Sequence, residues 1–232
     1  LAQLRDRTRP DWVFVVDTGD MVTPDAVEAA IPYAGEEELG FMQLERHFTF
    51  DGAELPSDFR YFYEVIQPRR NNVGSSFACG SGAFWNIKAI DDLGGFSTWN
   101  IVEDVTTSYL LQLKGWRGRY VYGKAFHYSE YVSDMSRLMK QRWQWMIDTY
   151  RLFFWKNPFL QKKFSFVLRW DYAEIGFAYL LGFPILTVRL MPFFLTWFAM
   201  HLFKDQGGVI AYWHYFLPLM LGRIFCDYVE LK

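Results

Sequence analysis

Residues 12–16 (Trp-Val-Phe-Val-Val) are apolar without alternation, a pattern that predicts a strand buried on both faces. The run ends in Asp17-Thr18-Gly19-Asp20, an acidic loop built of turn formers. Thr23-Pro24-Asp25 then opens a helix through about Tyr33, with Pro24 in the first turn, where its missing N–H costs nothing. Residues 40–50 predict a second strand, and 56–67 a helix rich in Phe and Tyr. Residues 75–86 are punctuated by glycine and serine and run into a further strand. A helix is expected over 103–114, with acids in its first turn and Gly115 as its stop. Ser133 and Asp134 can cap another helix, which reaches about Phe154. Strand, acidic loop and helix in that order point to an α/β sheet. Ligands of such sheets gather at the carboxyl ends of strands, where Asp17 stands.

The pattern changes after residue 152. Residues 153–163 mix aromatics with lysines, as interfacial segments do. Residues 175–203 hold Arg189 as their single charged residue, and a membrane span needs roughly 20 apolar residues. A second apolar stretch follows over 209–222, after the short loop 204–208. Lys162, Lys163 and Arg169 precede the first stretch, and Arg223 and Lys232 close the second, which orients both flanks toward the cytosol. The expected organisation is therefore a partial α/β domain over 1–132, amphipathic interfacial helices over 133–169 and a transmembrane helical hairpin within 170–232. A pair of buried helices in a larger soluble protein is the alternative.

Composition sharpens this division. The 24 basic and 26 acidic residues give a net charge of −2, which excludes a basic nucleic-acid clamp and an acidic disordered tail. Only nine of those charges lie in 170–232, so a mean hydropathy of −0.04 averages two unlike parts. Cys79 and Cys226 lie far apart, with no Cys/His cluster to suggest zinc or a disulfide scaffold, and Cys79 suits a reducing, cytosolic setting. The chain begins at Leu1 without a signal peptide ahead of Asp17 and reads as part of something longer.

Three groups of residues can carry chemistry. Asp17, with Asp20 further round its loop, can hold Mg²⁺ or Mn²⁺ against a diphosphate, or can simply end a strand in a turn. Glu103 and Asp104 either complement the dipole of their helix or supply an ionised general base. Gln141, Gln144 and Trp145 share one helical face, suited to sugar stacking and phosphate binding or to ordinary packing.

Taken together, the motifs resemble one family. Phe-Ala-Cys-Gly-Ser-Gly over 77–82, Leu-Gly-Gly-Phe over 93–96, Val-Glu-Asp over 102–104, Lys-Gly-Trp-Arg over 114–117 and Gln-Arg-Trp-Gln-Trp over 141–145 look like the processive family 2 glycosyltransferases, bacterial cellulose synthase catalytic subunits above all. Phe-Tyr-Glu-Val-Ile-Gln over 62–67 and Lys-Asn-Pro-Phe over 156–159 fit the same pattern.

The resemblance implies a GT-A-like (Rossmann-like) α/β domain, truncated at its N-terminus, beneath a transmembrane channel. It implies a membrane-embedded inverting transferase in the inner or plasma membrane, multi-pass, with its catalytic domain cytosolic. That enzyme would move a hexose from a UDP-sugar to a growing β-linked polysaccharide. Asp104, with Glu103, would be the catalytic pair. Asp17 would bind Mg²⁺ or Mn²⁺, and Asp17, Asp20, Gln141, Arg142 and Gln144 would form the donor site. Cys79, Gly80, Ser81 and Trp145 would line the acceptor site. Membrane lipid and accessory synthase subunits are the further partners implied, and nucleic acid is not one.

Three positions depart from the family pattern. Gly19 stands at the second acid of Asp-x-Asp, Val102 replaces a threonine before Glu103, and Gln144 replaces an arginine. Two of these touch the donor diphosphate. The alternative functions are a catalytically weakened homologue serving as a structural or channel subunit, and a membrane transport protein with a transferase-like domain.

Overall fold

A computed structural model of the chain describes residues 10–54, 58–132 and 134–175. In chain order the elements are β1 (Trp12–Val15), β2 (Met21–Val22), α1 (Ala26–Ala30) with a 3₁₀ turn at Ile31–Tyr33, β3 (Leu39–Leu44), β4 (Arg46–Phe50) and β5 (Ala53–Glu54). There follow α2 (Asp58–Tyr61), a π turn at Phe62–Ile66, α3 (Gln67–Val73), β6 (Ala83–Asn86), α4 (Ile87–Leu93) and α5 (Glu103–Lys114). β7 (Arg117–Val121), β8 (His127–Glu130), α6 (Met135–Trp155), a 3₁₀ turn at Pro158–Leu160 and α7 (166–175) complete the described part.

The strands form two mixed sheets, ordered β1-β6-β3-β7 and β2-β8-β4-β5. In each, one pair is parallel (β3 with β7, β4 with β8) and the others are antiparallel. β3 is buried at all six positions because both of its faces are covered. Leu39, Met42 and Leu44 pack with Phe84 against Ala26 and Ala30 of α1. Phe41 packs with Trp85 against Ala89 and Ile90 of α4 and Leu111 of α5. Each large side chain so buried contributes roughly 1.5–3 kcal/mol. The covered strand is thus β3. β1, expected to be buried on both faces, is half-buried throughout and pairs with β6 alone among the described residues.

The strand expected over 40–50 is two strands in different sheets. Glu45 separates them, its N–H bonded to Val121 O (2.9 Å) and its carbonyl accepting from Phe126 (3.1 Å), so the chain changes sheet there. The helix expected over 56–67 continues to Val73 across a π turn. Pro68 has no N–H to give the carbonyl four residues back, and the Gln67 N–H instead reaches Phe62 O, five back. The helices over 103–114 and from Asp134 fall as expected, the first ending at Gly115 (φ 108°) and the second capped by Asp134 Oδ1 on the Arg137 N–H (2.7 Å).

The expected membrane architecture is corrected. What the described residues form is an α/β domain with mixed sheets, and no helix among them is long and apolar enough to cross a membrane. The longest, α6, has 21 residues but carries Arg137, Lys140, Arg142, Asp148 and Arg151. The hairpin assigned within 170–232 lies, from residue 176 on, outside the described residues. Among the described residues nothing shows the membrane-embedded, multi-pass protein of the inner or plasma membrane that those spans implied.

Candidate active site

The loop from Cys79 to Gly82, just before β6, is held from beneath by one fully buried amide. Gln43, in the middle of β3, accepts the Cys79 N–H on Oε1 (2.7 Å) and donates from Nε2 toward Ser81 O (3.0 Å) and Gly82 O (3.3 Å). Leaving such a group unpaired costs about 1–3 kcal/mol, so the amide and the loop fix each other.

Ser81 carries the next layer. Its Oγ accepts the Asp17 N–H (2.9 Å), donates to Asp20 Oδ2 (2.6 Å) and lies 3.0 Å from His127 Nε2. Asp20 Oδ2 is also 2.7 Å from His127 Nε2 and 3.4 Å from Arg46 Nη2. The tight turn between Asp17 and Asp20, closed by the Asp20 N–H on Asp17 O (3.2 Å), needs the positive φ of Gly19 (95°). The glycine that departs from the family pattern is thus the residue that turns Asp20 inward. Burial works against the Asp20 charge, but hydrogen bonds from Ser81 and Ser129 and the Arg46 guanidinium outweigh it, and the carboxyl is held below its ordinary range. Burial, joined by Arg46, lowers His127 against the pull of Asp20 and so favours the neutral ring. Because a carboxylate only accepts, the 2.7 Å contact calls for the proton on Nε2. His127 packs directly on Gly82, where an added Cβ would come within 2.7 Å of Nδ1.

Asp17 itself faces solvent at the end of β1. Asp104, half-buried in the first turn of α5, lies beside the same loop, with Oδ2 3.4 Å from where a Cβ on Gly80 would stand. Burial, reinforced by the charges of Glu103 and Asp17, pushes its carboxyl up to about 7, against the hydrogen bond from the Val105 N–H. Burial and the nearby Asp104 push the Cys79 thiol up to about 12, and Gln67 Nε2 donates to its sulfur (3.2 Å). Glu103 is exposed.

The structure therefore gathers Asp17, Asp20, Cys79, Gly80, Ser81 and Asp104 around one loop. On α6, Gln141 and Trp145 are half-buried, Gln144 is exposed, and the Arg142 guanidinium sits 5.8 Å from the Trp145 ring centre. Gln43 and His127 were not identified from sequence, and Gln67 stood there only as the end of the 62–67 motif, because the contact that gives Gln43, His127 and Gln67 their places joins each to a residue 38, 107 and 12 positions away respectively.

Two places suit a divalent cation. Asp17 offers an exposed hard oxygen, enough for a cation that takes its remaining ligands from substrate phosphates and water. Glu45, His47 and Glu64 form a second, more buried group, with His47 Nε2 3.0 Å from Glu45 Oε1 and 3.5 Å from Glu64 Oε1, and all three ligand atoms within 4.8 Å of one another. That group could coordinate a divalent metal, although sequence reading placed the ion at Asp17 alone.

Among known proteins, the chain is 23% identical over 233 residues to the "Cellulose synthase catalytic subunit [UDP-forming]" of Komagataeibacter sucrofermentans, covering 94% of this chain and 30% of that protein. It is likewise 23% identical over 225 residues to the "Cellulose synthase 1 catalytic subunit [UDP-forming]" of Komagataeibacter xylinus, covering 90% and 30%. The chain thus spans under a third of the length of these relatives. Among solved structures, a mannosyltransferase of Pyrobaculum calidifontis in complex with GDP-Man and Mn2+ aligns over 65% of this chain and 42% of its own, at 17% identity and a TM-score of 0.47. The family described as Glycosyl transferase family group 2 matches residues 12–226. With a match that runs from β1 across the whole loop-centred site and beyond, the chain belongs to the glycosyl transferase family group 2.

Proposed function

We propose that this chain transfers a hexosyl group from a UDP-sugar to a hydroxyl of a polysaccharide, with Asp104 as the general base. The carrying observation is the Asp104 carboxyl, half-buried beside Gly80 and pushed up to about 7. A base poised near the working pH combines a useful fraction of the ionised form with real proton affinity. In the step, the acceptor O–H gives its proton to Asp104, the acceptor oxygen bonds to the anomeric carbon, and the bond from that carbon to the diphosphate breaks to release UDP. No protein nucleophile enters, in keeping with a Cys79 thiol that stays protonated at neutral pH.

Asp17 is the residue assigned to Mg²⁺ or Mn²⁺, which when bound would offset the charge of the departing diphosphate. Gln141, Arg142 and Gln144 are assigned to the donor. Trp145 and the loop of Cys79, Gly80 and Ser81 are assigned to the acceptor, with the indole stacking on a sugar face. Asp20 takes a supporting role, because its carboxylate is already engaged by Ser81 and His127 and holds the turn that presents Asp17. The relatives' printed names, with their UDP formation and cellulose synthesis, favour this donor and acceptor.

The test supplies the full-length parent protein with a panel of UDP-sugars and an oligosaccharide acceptor, and measures UDP release. Acceptor-dependent release that disappears in Asp104→Asn, while UDP binding persists, is expected. Near-parent release in Asp104→Asn overturns the assignment of the base.

A further inference from the structure

We propose that Asp148 is a positioning residue: it fixes the turn that starts α5 and thereby holds Asp104 against the Gly80 loop. This rests on the role proposed for Asp104. α5 starts without a side-chain cap, because its N-cap position is Val102. What orders the preceding segment is partly local. Asn100 and the Thr106 hydroxyl exchange hydrogen bonds of 2.7 and 3.2 Å, and Thr107 Oγ1 accepts the Ser97 N–H (3.1 Å).

Another bond comes from a different helix. Asp148 of α6 accepts the Ile101 N–H on Oδ2 (2.8 Å), and its Oδ1 takes Arg151 Nη1 (2.9 Å). Asp148 is 7% exposed, so a carboxylate shared between the Ile101 amide and the Arg151 guanidinium makes a charge-assisted bond to that amide largely away from water. The amide lies three residues before Asp104. A second contact joins the same segment to α6, since the Trp99 and Trp155 rings meet edge to face at 5.2 Å.

The placement on α6 gives the bond its meaning. At about 100° per residue, Gln141, Trp145 and Asp148 fall within an arc of about 60° on one face. The stripe assigned to donor and acceptor thus continues into the residue that holds the base helix. Asp148 acts on the backbone of Ile101 and has no direct contact with the Asp104 carboxyl. The charged and thiol groups that act on that carboxyl are Glu103 on its own helix, Asp17 from β1 and Cys79 from the loop. Loosening Ile101 therefore frees the first turn of α5 to move Asp104 away from Gly80, and a displacement of about 1 Å at a reacting group can cost 10²-fold in rate.

The experiment uses the full-length protein, with kcat and KM measured for Asp148→Ala, Asp148→Asn and Arg151→Ala, and hydrogen exchange measured at the Ile101 amide. Asp148→Ala is expected to lower kcat about 10–100-fold, to leave the KM for the UDP-sugar unchanged and to speed exchange at Ile101. Asp148→Asn keeps an oxygen that can accept the same N–H, so it should restore kcat to within a few-fold of the parent and restore protection at Ile101. Arg151→Ala should behave as the parent.

Parent-like kcat in Asp148→Ala overturns the proposal, as does equal loss of kcat in Asp148→Ala and Asp148→Asn with Ile101 still protected. Should Asp148→Ala fail to fold, Asp148→Asn and Arg151→Ala decide, and a tenfold loss of kcat in Arg151→Ala overturns it. Asp104→Asn is run alongside. If that variant keeps transfer, the assignment of the base fails, whereas exchange at Ile101 still reports on the Asp148 bond by itself.

Discussion

Replacing Asp104 by asparagine keeps the shape of the side chain and removes both its charge and its basicity, so it should slow the protein and stabilise it at once. The ordinary value for an aspartate carboxyl is 3.8, and in the folded protein burial lifts Asp104 to about 7. Between those values the folded form binds the proton more tightly than the unfolded chain does, so stability falls as the pH rises from about 4 to about 7. The full cost is then present above 7. At roughly 1.4 kcal/mol per pH unit the interval amounts to at most about 4 kcal/mol. Solvent reaches part of this half-buried carboxyl and screens it, and the favourable interaction of an acid with the α5 dipole, about 0.3–1 kcal/mol, is lost with the charge. A net gain of roughly 1–3 kcal/mol remains, or about 2–12 °C in Tm for a domain of this size. Thermal melting of parent and variant at pH 5 and pH 8 is the assay, and the gap should be wider at pH 8. Transfer should fall about 10²–10⁴-fold in the variant, and in the parent it should rise with pH through about 7 as the base ionises. A variant less stable than the parent at pH 8 would make Asp104 a helix-capping acid, and undiminished transfer would sink the argument from the other side.

Gln43→Ala should lower stability by about 1–3 kcal/mol and reduce transfer as well, because the Cys79 N–H and the Ser81 carbonyl lose the Gln43 amide, while the Gly82 carbonyl keeps the Leu44 N–H; loss of stability with full activity would show that the loop holds its shape without the amide. Asp171→Ala should be among the most damaging substitutions in the described residues, at about 3–5 kcal/mol by denaturant unfolding, because it strands the buried Arg70 guanidinium 2.9 Å away. Unfolding within about 1 kcal/mol of the parent would place that pair effectively in water. Gln144→Arg should tighten UDP binding by calorimetry, since a guanidinium makes charge-assisted bonds about twice as strong as those of a neutral amide. Arg142→Ala should weaken it, and unchanged affinity in both would remove α6 from the donor site.

Local chemistry made several parts of this protein legible from its sequence. The helix over 103–114 announces itself by acids in its first turn and a glycine that can take φ 108° at its end, and the helix from Asp134 by its cap. The ordered series of short motifs was enough to indicate the family, because each motif is a contiguous run. The chain's partition between sheets was not legible. Residues 40–50 read as one strand, since the break at Glu45 is made by backbone bonds to Val121 and Phe126, some 80 residues on. The apolar stretches 175–203 and 209–222 suggested membrane spans; from residue 176 on they lie outside the described residues, and no helix among the described residues is long and apolar enough to cross.

The acidic loop shows the same division most sharply. Asp17 and Asp20 read from sequence as neighbours with a shared task, and only tertiary structure separates them. Ser81 and His127, 61 and 107 residues further along, bond Asp20 inward and leave Asp17 facing solvent. Capping, turn formation and helix termination depend on the few residues that make them, so the sequence determines them by itself. The direction a carboxylate faces depends on which distant donors the fold delivers to it, and burial then sets its proton affinity, so both belong to the folded chain.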